Sequence, residues 1–332
     1  MNIKNAAKTL GFPLAITVAL LTALSNALAA DAAAKPKRLG FLSPDTGPGG
    51  PPMLIVQELG KLNYIEGKNL VIEYRFAGSN PERLAEAAAD LARLNVDAIY
   101  AVSNLAGFAA KSATRSIPII VWGAHGAVDT GLVASLRRPG GNLTGVESLA
   151  PELDAKRVEL LKQIVPRLTQ LAVLYDAGDQ GSPLHLKSTQ SAGRVLGVAV
   201  STLAVRRPED FEPVLAAAVG KPLGGLLTFT NGLTFTNWQR VMDFSLANRL
   251  PTICEFRELA QAGCLLSYGP TFIEFAQRTA AQIDKVLKGT PPGELPVEQM
   301  TRFELVVNLT TAKALGISIP QALLVRADEV IR

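Results

Sequence analysis

Two histidines, His125 and His185, stand in polar loops from which an imidazole could donate to a ligand, yet neither has a Cys, His or acidic partner at metal-holding spacing. The chain contains no G-x-S-x-G elbow, no phosphate loop of the G-x-x-x-x-G-K-[ST] type and no H-E-x-x-H pair. Residues 47–52 lack the dinucleotide-binding spacing, and no obvious pair of catalytic acids appears. The expected chemistry is therefore recognition: no catalytic residue, no metal and no cofactor.

Recognition residues should lie where apolar runs end, because open α/β sheets bind ligands beyond the carboxyl ends of their strands. Ser103 and Asn104 follow such a run and open a helix, so they either hold a carboxylate or simply cap the helix. Asp176 and Asp179 occupy the matching edge further along the chain, where a carboxylate could accept a ligand ammonium. Trp122 and Phe229 end apolar runs and Tyr268 lies near a crossing, so each either covers an apolar ligand body or belongs to the core. The remaining candidates come from the same loops: Ser43 and Asp45, Gly123 beside His125, Thr230 and Asn231, and Glu255.

The elements that must position these residues follow from a repeated phrase of short β-branched run, polar loop and longer helical stretch, which means parallel βαβ units. The runs are 39–42, 71–76, 98–102 and 117–122, then 171–175, 199–205, 225–229, 252–256 and 264–268. They are continuously apolar, as strands covered by helices on both faces are. Asn80 followed by Pro81, and Ser182 followed by Pro183, are helix starts. Phe272, Phe275, Ala276, Thr279, Ala280, Ile283, Val286 and Leu287 keep helical spacing until Gly289.

Two such series, joined around 139–149, predict an α/β fold of two Rossmann-like lobes with parallel sheets and a ligand cleft between them. The first lobe is expected over 36–145 plus 270–300 and the second over 146–269 plus 301–332. The strand at 264–270 is expected to return the chain to the first lobe. One more strand is expected at 302–308, with closing helices at 312–315 and 322–331. Three crossings between the lobes then form a hinge.

Ahead of this lies a leader. Lys4 and Lys8, the apolar run 10–24 and the triplet Ala27, Leu28, Ala29 have the form of a signal peptide, expected to be cleaved after residue 29. Cleavage would take Lys4 and Lys8 from the 33 basic residues and none of the 29 acids, leaving a charge of +2. That balance excludes a nucleic-acid partner and a membrane-surface role. No cysteine follows the site for a lipid anchor, so a freely diffusing periplasmic protein, with no membrane insertion after cleavage, is expected. Cys254 and Cys264 are the only thiols, either bridged or buried and unpaired.

Several longer segments are quite specific together: LGFLS at 39–43, YIEGKNLVIEYRFA at 64–77, SIPIIVWGAHGAVDTGLVASLRRPGGNLTGV at 116–146, AGCLLSYGP at 262–270 and PVEQMTRFELVVNLTTAKALGISIP at 296–320. Through them the mature chain resembles the ABC transporter substrate-binding family that includes tryptophan- and tyrosine-type binding components. The resemblance implies a type I periplasmic binding protein. Such a protein captures a small molecule, an amino acid or other small carboxylate, and delivers it to an inner-membrane ABC permease. Where members often carry Gly-Asp-Pro after the fourth strand, this chain has His125, Gly126 and Ala127. A secreted enzyme on the same scaffold, or a sensor feeding a membrane receptor, are the competing expectations.

Overall fold

The computed structural model describes residues 35–78, 80–147 and 151–332, so the expected signal peptide lies outside the described residues. The chain opens with β1 (Lys37–Ser43), α1 (Leu54–Lys61), β2 (Leu70–Phe76), α2 (Pro81–Arg93), β3 (Ala98–Val102), α3 (Ser103–Ala113), β4 (Ile119–Ala124) and β5 (Leu143–Glu147). All pairings among these strands are parallel, and β3 and β5 are buried along their whole length, as strands sandwiched between helices must be. The expected start of α2 is made by Asn80, whose Oδ1 accepts from the N–H groups of Glu82 and Arg83 at 2.9 and 3.0 Å.

A second series follows: α4 (Pro151–Ile164), β6 (Gln170–Asp176), α5 (Ser182–Leu196), β7 (Ala199–Val205), α6 (Phe211–Ala216), β8 (Gly225–Thr228), α7 (Gly232–Thr236), α8 (Trp238–Ala247), β9 (Thr252–Cys254), α9 (Arg257–Gln261) and β10 (Leu266–Gly269). β10 pairs with β9 and stays in the second sheet, which corrects the expectation that this strand returns the chain. The return is made by α10 (Phe272–Leu287), which packs on β4, β5 and α1 through the buried face expected from its spacing.

The short β11 (Glu298–Gln299) then pairs with β5 before β12 (Glu304–Asn308), α11 (Leu309–Leu315), α12 (Gln321–Arg326) and β13 (Glu329–Ile331) complete the second sheet. The strand orders are β11-β5-β4-β3-β1-β2 and β13-β12-β10-β9-β8-β6-β7, with the β10–β12 pair antiparallel. Helix was expected as far as residue 331, but α12 stops at Arg326. Asp328 trades hydrogen bonds with Leu305, its N–H donating to the carbonyl and its Oδ2 accepting from the N–H, both at 2.8 Å. That exchange starts β13 against β12.

Cys254 and Cys264 are both free and buried, their thiols donating to the carbonyls of Leu266 and Thr252 at 3.4 and 3.1 Å. Among the described residues no helix is long and apolar enough to cross a membrane.

Candidate functional site

The carboxyl ends of β1, β3 and β4 in one lobe face the end of β8 and the loop after β9 in the other, and a cavity of about 390 Å³ lies between them. Its lining combines a glycine- and proline-rich stretch over 47–52 with five aromatic rings that pack on one another across the lobes. Phe256 stacks on Phe272 with centroids 3.9 Å apart, and Trp122 lies 6.0 Å from Phe272 and 5.6 Å from Phe275. Phe235 meets Phe272 edge-on at 5.9 Å. Trp122, Phe272 and Phe275 belong to the first lobe and its return helix, whereas Phe235 and Phe256 belong to the second.

Four polar atoms at this cavity are buried without a hydrogen-bond partner among the described residues: Ser103 Oγ, Trp122 Nε1, His125 Nδ1 and Thr230 Oγ1. An unpartnered buried polar atom costs roughly 1–3 kcal/mol, so four around one space are better suited to binding a polar group than to folding alone. Ser103 also sits at φ 72°, a left-handed conformation that bulkier residues resist and that tends to be kept at ligand clamps.

Among the described residues the lining contains one carboxylate and no Lys or Arg. That carboxylate is Asp45, which accepts from Ser43 Oγ at 2.7 Å. Burial holds its pKa above the usual aspartate value, with the Ser43 bond pulling the other way. A Cβ on Gly232 would fall 2.5 Å from Asp45 Oδ1, so glycine at the start of α7 is what lets this carboxylate lie against the opposite lobe.

Of the residues expected from the sequence, Asp45, Ser103, Trp122, Gly123, His125, Thr230 and Asn231 line the cavity together. The others stand behind it or beside it. Ser43 orients Asp45, and Asn104 holds the backbone of His125 from both sides, its Nδ2 donating to the carbonyl at 2.8 Å and its Oδ1 accepting from the N–H at 3.0 Å. Asp176 and Asp179 border a separate cavity of about 90 Å³. There burial lifts Asp176 to about 6, and its carboxylate is engaged by Gly178 N–H and Asn231 Nδ2 at 2.7 and 3.0 Å. Tyr268 packs on Phe303 at 6.2 Å, and Phe229 packs between Tyr175 and His185, so neither faces the main cavity.

Glu255 is fully enclosed and belongs to a buried chain of charges that the sequence did not reveal. Its Oε2 accepts from the N–H of Thr230 at 3.1 Å, and its Oε1 lies 3.7 Å from Arg157 Nη1. Arg157 donates to Asp154 at 2.7 Å and to the Tyr268 carbonyl at 2.9 Å, and Asp154 in turn holds His185 Nδ1 at 2.5 Å. Asp154 and Arg157 sit three apart on α4, a spacing that on sequence reads as an ordinary surface ion pair. Phe272 and Phe275 went unnoticed as wall residues for a similar reason, since their spacing is fully accounted for by the core face of a helix.

Burial raises Glu255 to about 7, against the pull of Arg157. A raised carboxyl favours the folded state below its ordinary pKa, and that contribution is lost as pH rises towards the folded value. Glu255→Gln should therefore remove about one bound proton from the pH dependence of unfolding between roughly pH 4.5 and 7. Urea unfolding at half-unit pH steps would read it as a difference in slope from the wild type; parallel curves would mean that Glu255 is ionised throughout.

Residues 55–331 match the family model for ABC transporter substrate binding protein. The chain belongs to that family. Solute-binding proteins of this kind are extracytoplasmic binders rather than enzymes. A curated relative, the "Tyrosine-binding protein" of Clostridioides difficile, is 26% identical over 260 residues, 78% of this chain and 74% of the relative. Among solved structures, the ABC domain of Streptococcus pneumoniae in complex with L-Trp matches with a TM-score of 0.82 at 22% identity, covering 90% of this chain and 100% of that one. A conserved domain protein from Vibrio cholerae matches at 0.83 with 24% identity, covering 89% and 100%. The ligand-free, open structure of a Clostridium difficile substrate binding protein matches at 0.61 with 23% identity, covering 89% and 99%. The fold of this binding protein is thus the two-lobed type I periplasmic binding fold.

Proposed function

We propose that this protein captures an amino acid with an aromatic or other large apolar side chain, closes its lobes over it and delivers it to an inner-membrane ABC permease from the periplasm. The observation that carries the reading is the interlobe cavity itself, aromatic in its walls and edged by four unpartnered polar atoms. An apolar ligand body would rest on Trp122, Phe235 and Phe272, while the ligand's carboxylate would take hydrogen bonds from neutral donors such as Ser103 Oγ and Trp122 Nε1.

Charge favours an amino acid over a bare carboxylate. With Asp45 as the one carboxylate in the lining and no Lys or Arg beside it among the described residues, a lone anion would be buried against like charge. A zwitterion brings an ammonium for Asp45 to accept. The tyrosine- and L-Trp-binding relatives support the same ligand class. Contacts contributed by both lobes favour the closed form once the ligand is bound.

The test is thermal unfolding of residues 30–332 against aromatic and aliphatic amino acids, their des-amino acids and their amides. A ligand at 100 times its Kd adds about 2.7 kcal/mol to stability. An amino acid should raise the melting temperature by several degrees and be recovered unchanged. A shift produced solely by des-amino acids would overturn the amino-acid assignment, and consumption of the ligand would overturn the binding role.

A further inference from the structure

Beside the main cavity the loop after β4 meets the first turn of α5, and the two histidines of the chain meet there from opposite lobes. Their ring centroids are 5.0 Å apart, and the residues are 7% and 1% exposed. Glycine makes the approach possible on both sides: a Cβ on Gly126 would fall 2.4 Å from Leu184 Cδ1, and one on Gly181 would fall 2.5 Å from His125 Cβ. Because Asn104 holds both backbone polar groups of His125, that residue is fixed to the first lobe and leaves His185 when the lobes part.

The partners of His185 all lie in its own lobe and therefore stay with it when the cleft opens. Burial alone would lower its pKa, but the Asp154 carboxylate, by charge and by hydrogen bond, and the charge of Glu255 carry it above the ordinary value. His125 has no such partner. Facing it are Asp179 from the loop after β6, His185 from α5, Asp154 and Arg157 from α4, and in its own lobe Glu147 of β5, which accepts from Ala127 N–H at 2.9 Å. Burial pulls His125 down to about 4, Asp179 and Asp154 resist, and the charges of His185 and Arg157 add to the lowering.

We propose that the His125–His185 contact is a proton-sensitive latch: the lobes close with His125 neutral, and protonating its ring at mildly acid pH separates them and releases the captured molecule. This rests on the lobe-closure reading above. In the open form His125 leaves its enclosure and returns towards an ordinary imidazole pKa of about 6.5. Closure then expels a proton between that value and about 4. Across this window the closed population falls as pH falls, by about 30-fold relative to the open one between pH 7.5 and 5.0.

The test uses the mature chain without a tag, spin-labelled through Glu86→Cys and Val195→Cys, with interlobe distances measured from pH 5.0 to 7.5, alone and with L-tryptophan or L-tyrosine. The expected result is a closed fraction that declines on acidification in the wild type and no longer declines in His125→Gln, where burial of Asp176 and Asp45 leaves only a trend of the opposite sign. His185→Gln, which removes the facing charge, should weaken the response. With two histidines in the chain, their ring resonances can be assigned from the same variants. His125 should titrate well below 6 where the closed form predominates. A wild-type distance distribution that ignores pH, open or closed, overturns the latch, as does a decline on acidification that survives His125→Gln. Melting shifts at pH 7.5 test the amino-acid reading separately, so a failed latch leaves that reading standing and a failed ligand panel leaves the free-chain distances to judge the latch.

Discussion

Asp45→Asn should weaken capture of an aromatic amino acid by about 2–5 kcal/mol, on the order of 30- to several-thousand-fold, while leaving a des-amino analogue unchanged or bound more tightly. The size follows from burial: removing one member of an enclosed charge pair leaves the other desolvated and uncompensated. The substitution keeps the shape, and the new amide can still accept from Ser43 Oγ, so folding is little disturbed. Titration calorimetry with tyrosine, tryptophan and the matching arylpropionates would check it. Equal losses for both series would place the ligand ammonium away from Asp45.

Arg157→Ala should destabilise the fold by about 3–5 kcal/mol. The guanidinium is completely buried, its side chain 0% exposed, and it stands between Asp154 and Glu255 while holding the Tyr268 carbonyl. Alanine leaves two enclosed carboxylates without their shared cation and frees a buried carbonyl acceptor. Part of the loss should return in the Arg157→Ala, Glu255→Gln double variant, because Asp154 keeps His185 as its partner whereas Glu255 has lost its cation. Denaturant unfolding of the four-member cycle measures both quantities. A single-variant loss below about 1 kcal/mol would show that these carboxylates do not depend on Arg157 for their folded-state stability.

The sheet strands were legible because parallel strands in such a fold read as uninterrupted apolar runs, and the helix caps because Asn80 and Pro81 declare themselves locally. β5, β11 and β13 were not. β5 carries Thr144, Gly145 and Glu147 between apolar residues, and β11 is two residues long, so neither rises above the loop around it. β13 exists through its pairing with β12, which no local pattern encodes. The site divides in the same way. Strand ends and the loops after them pointed to seven of the lining residues, since topology alone places them at the cleft. Phe272, Phe275 and the Arg157 group stayed hidden because helical spacing explained them before any cavity could.

The order of strands in the second sheet has a consequence for biogenesis. β12 and β13 join β10 only after the chain has left that lobe, run through α10 and paired β11 with β5 in the other. A chain emerging amino end first therefore has its second sheet unfinished until β13 ends at residue 331, and its first lobe lacks its return helix until residue 287. Domains usually fold as units during synthesis. Here neither lobe can do so early, so both should complete their folding only after most of the chain has emerged.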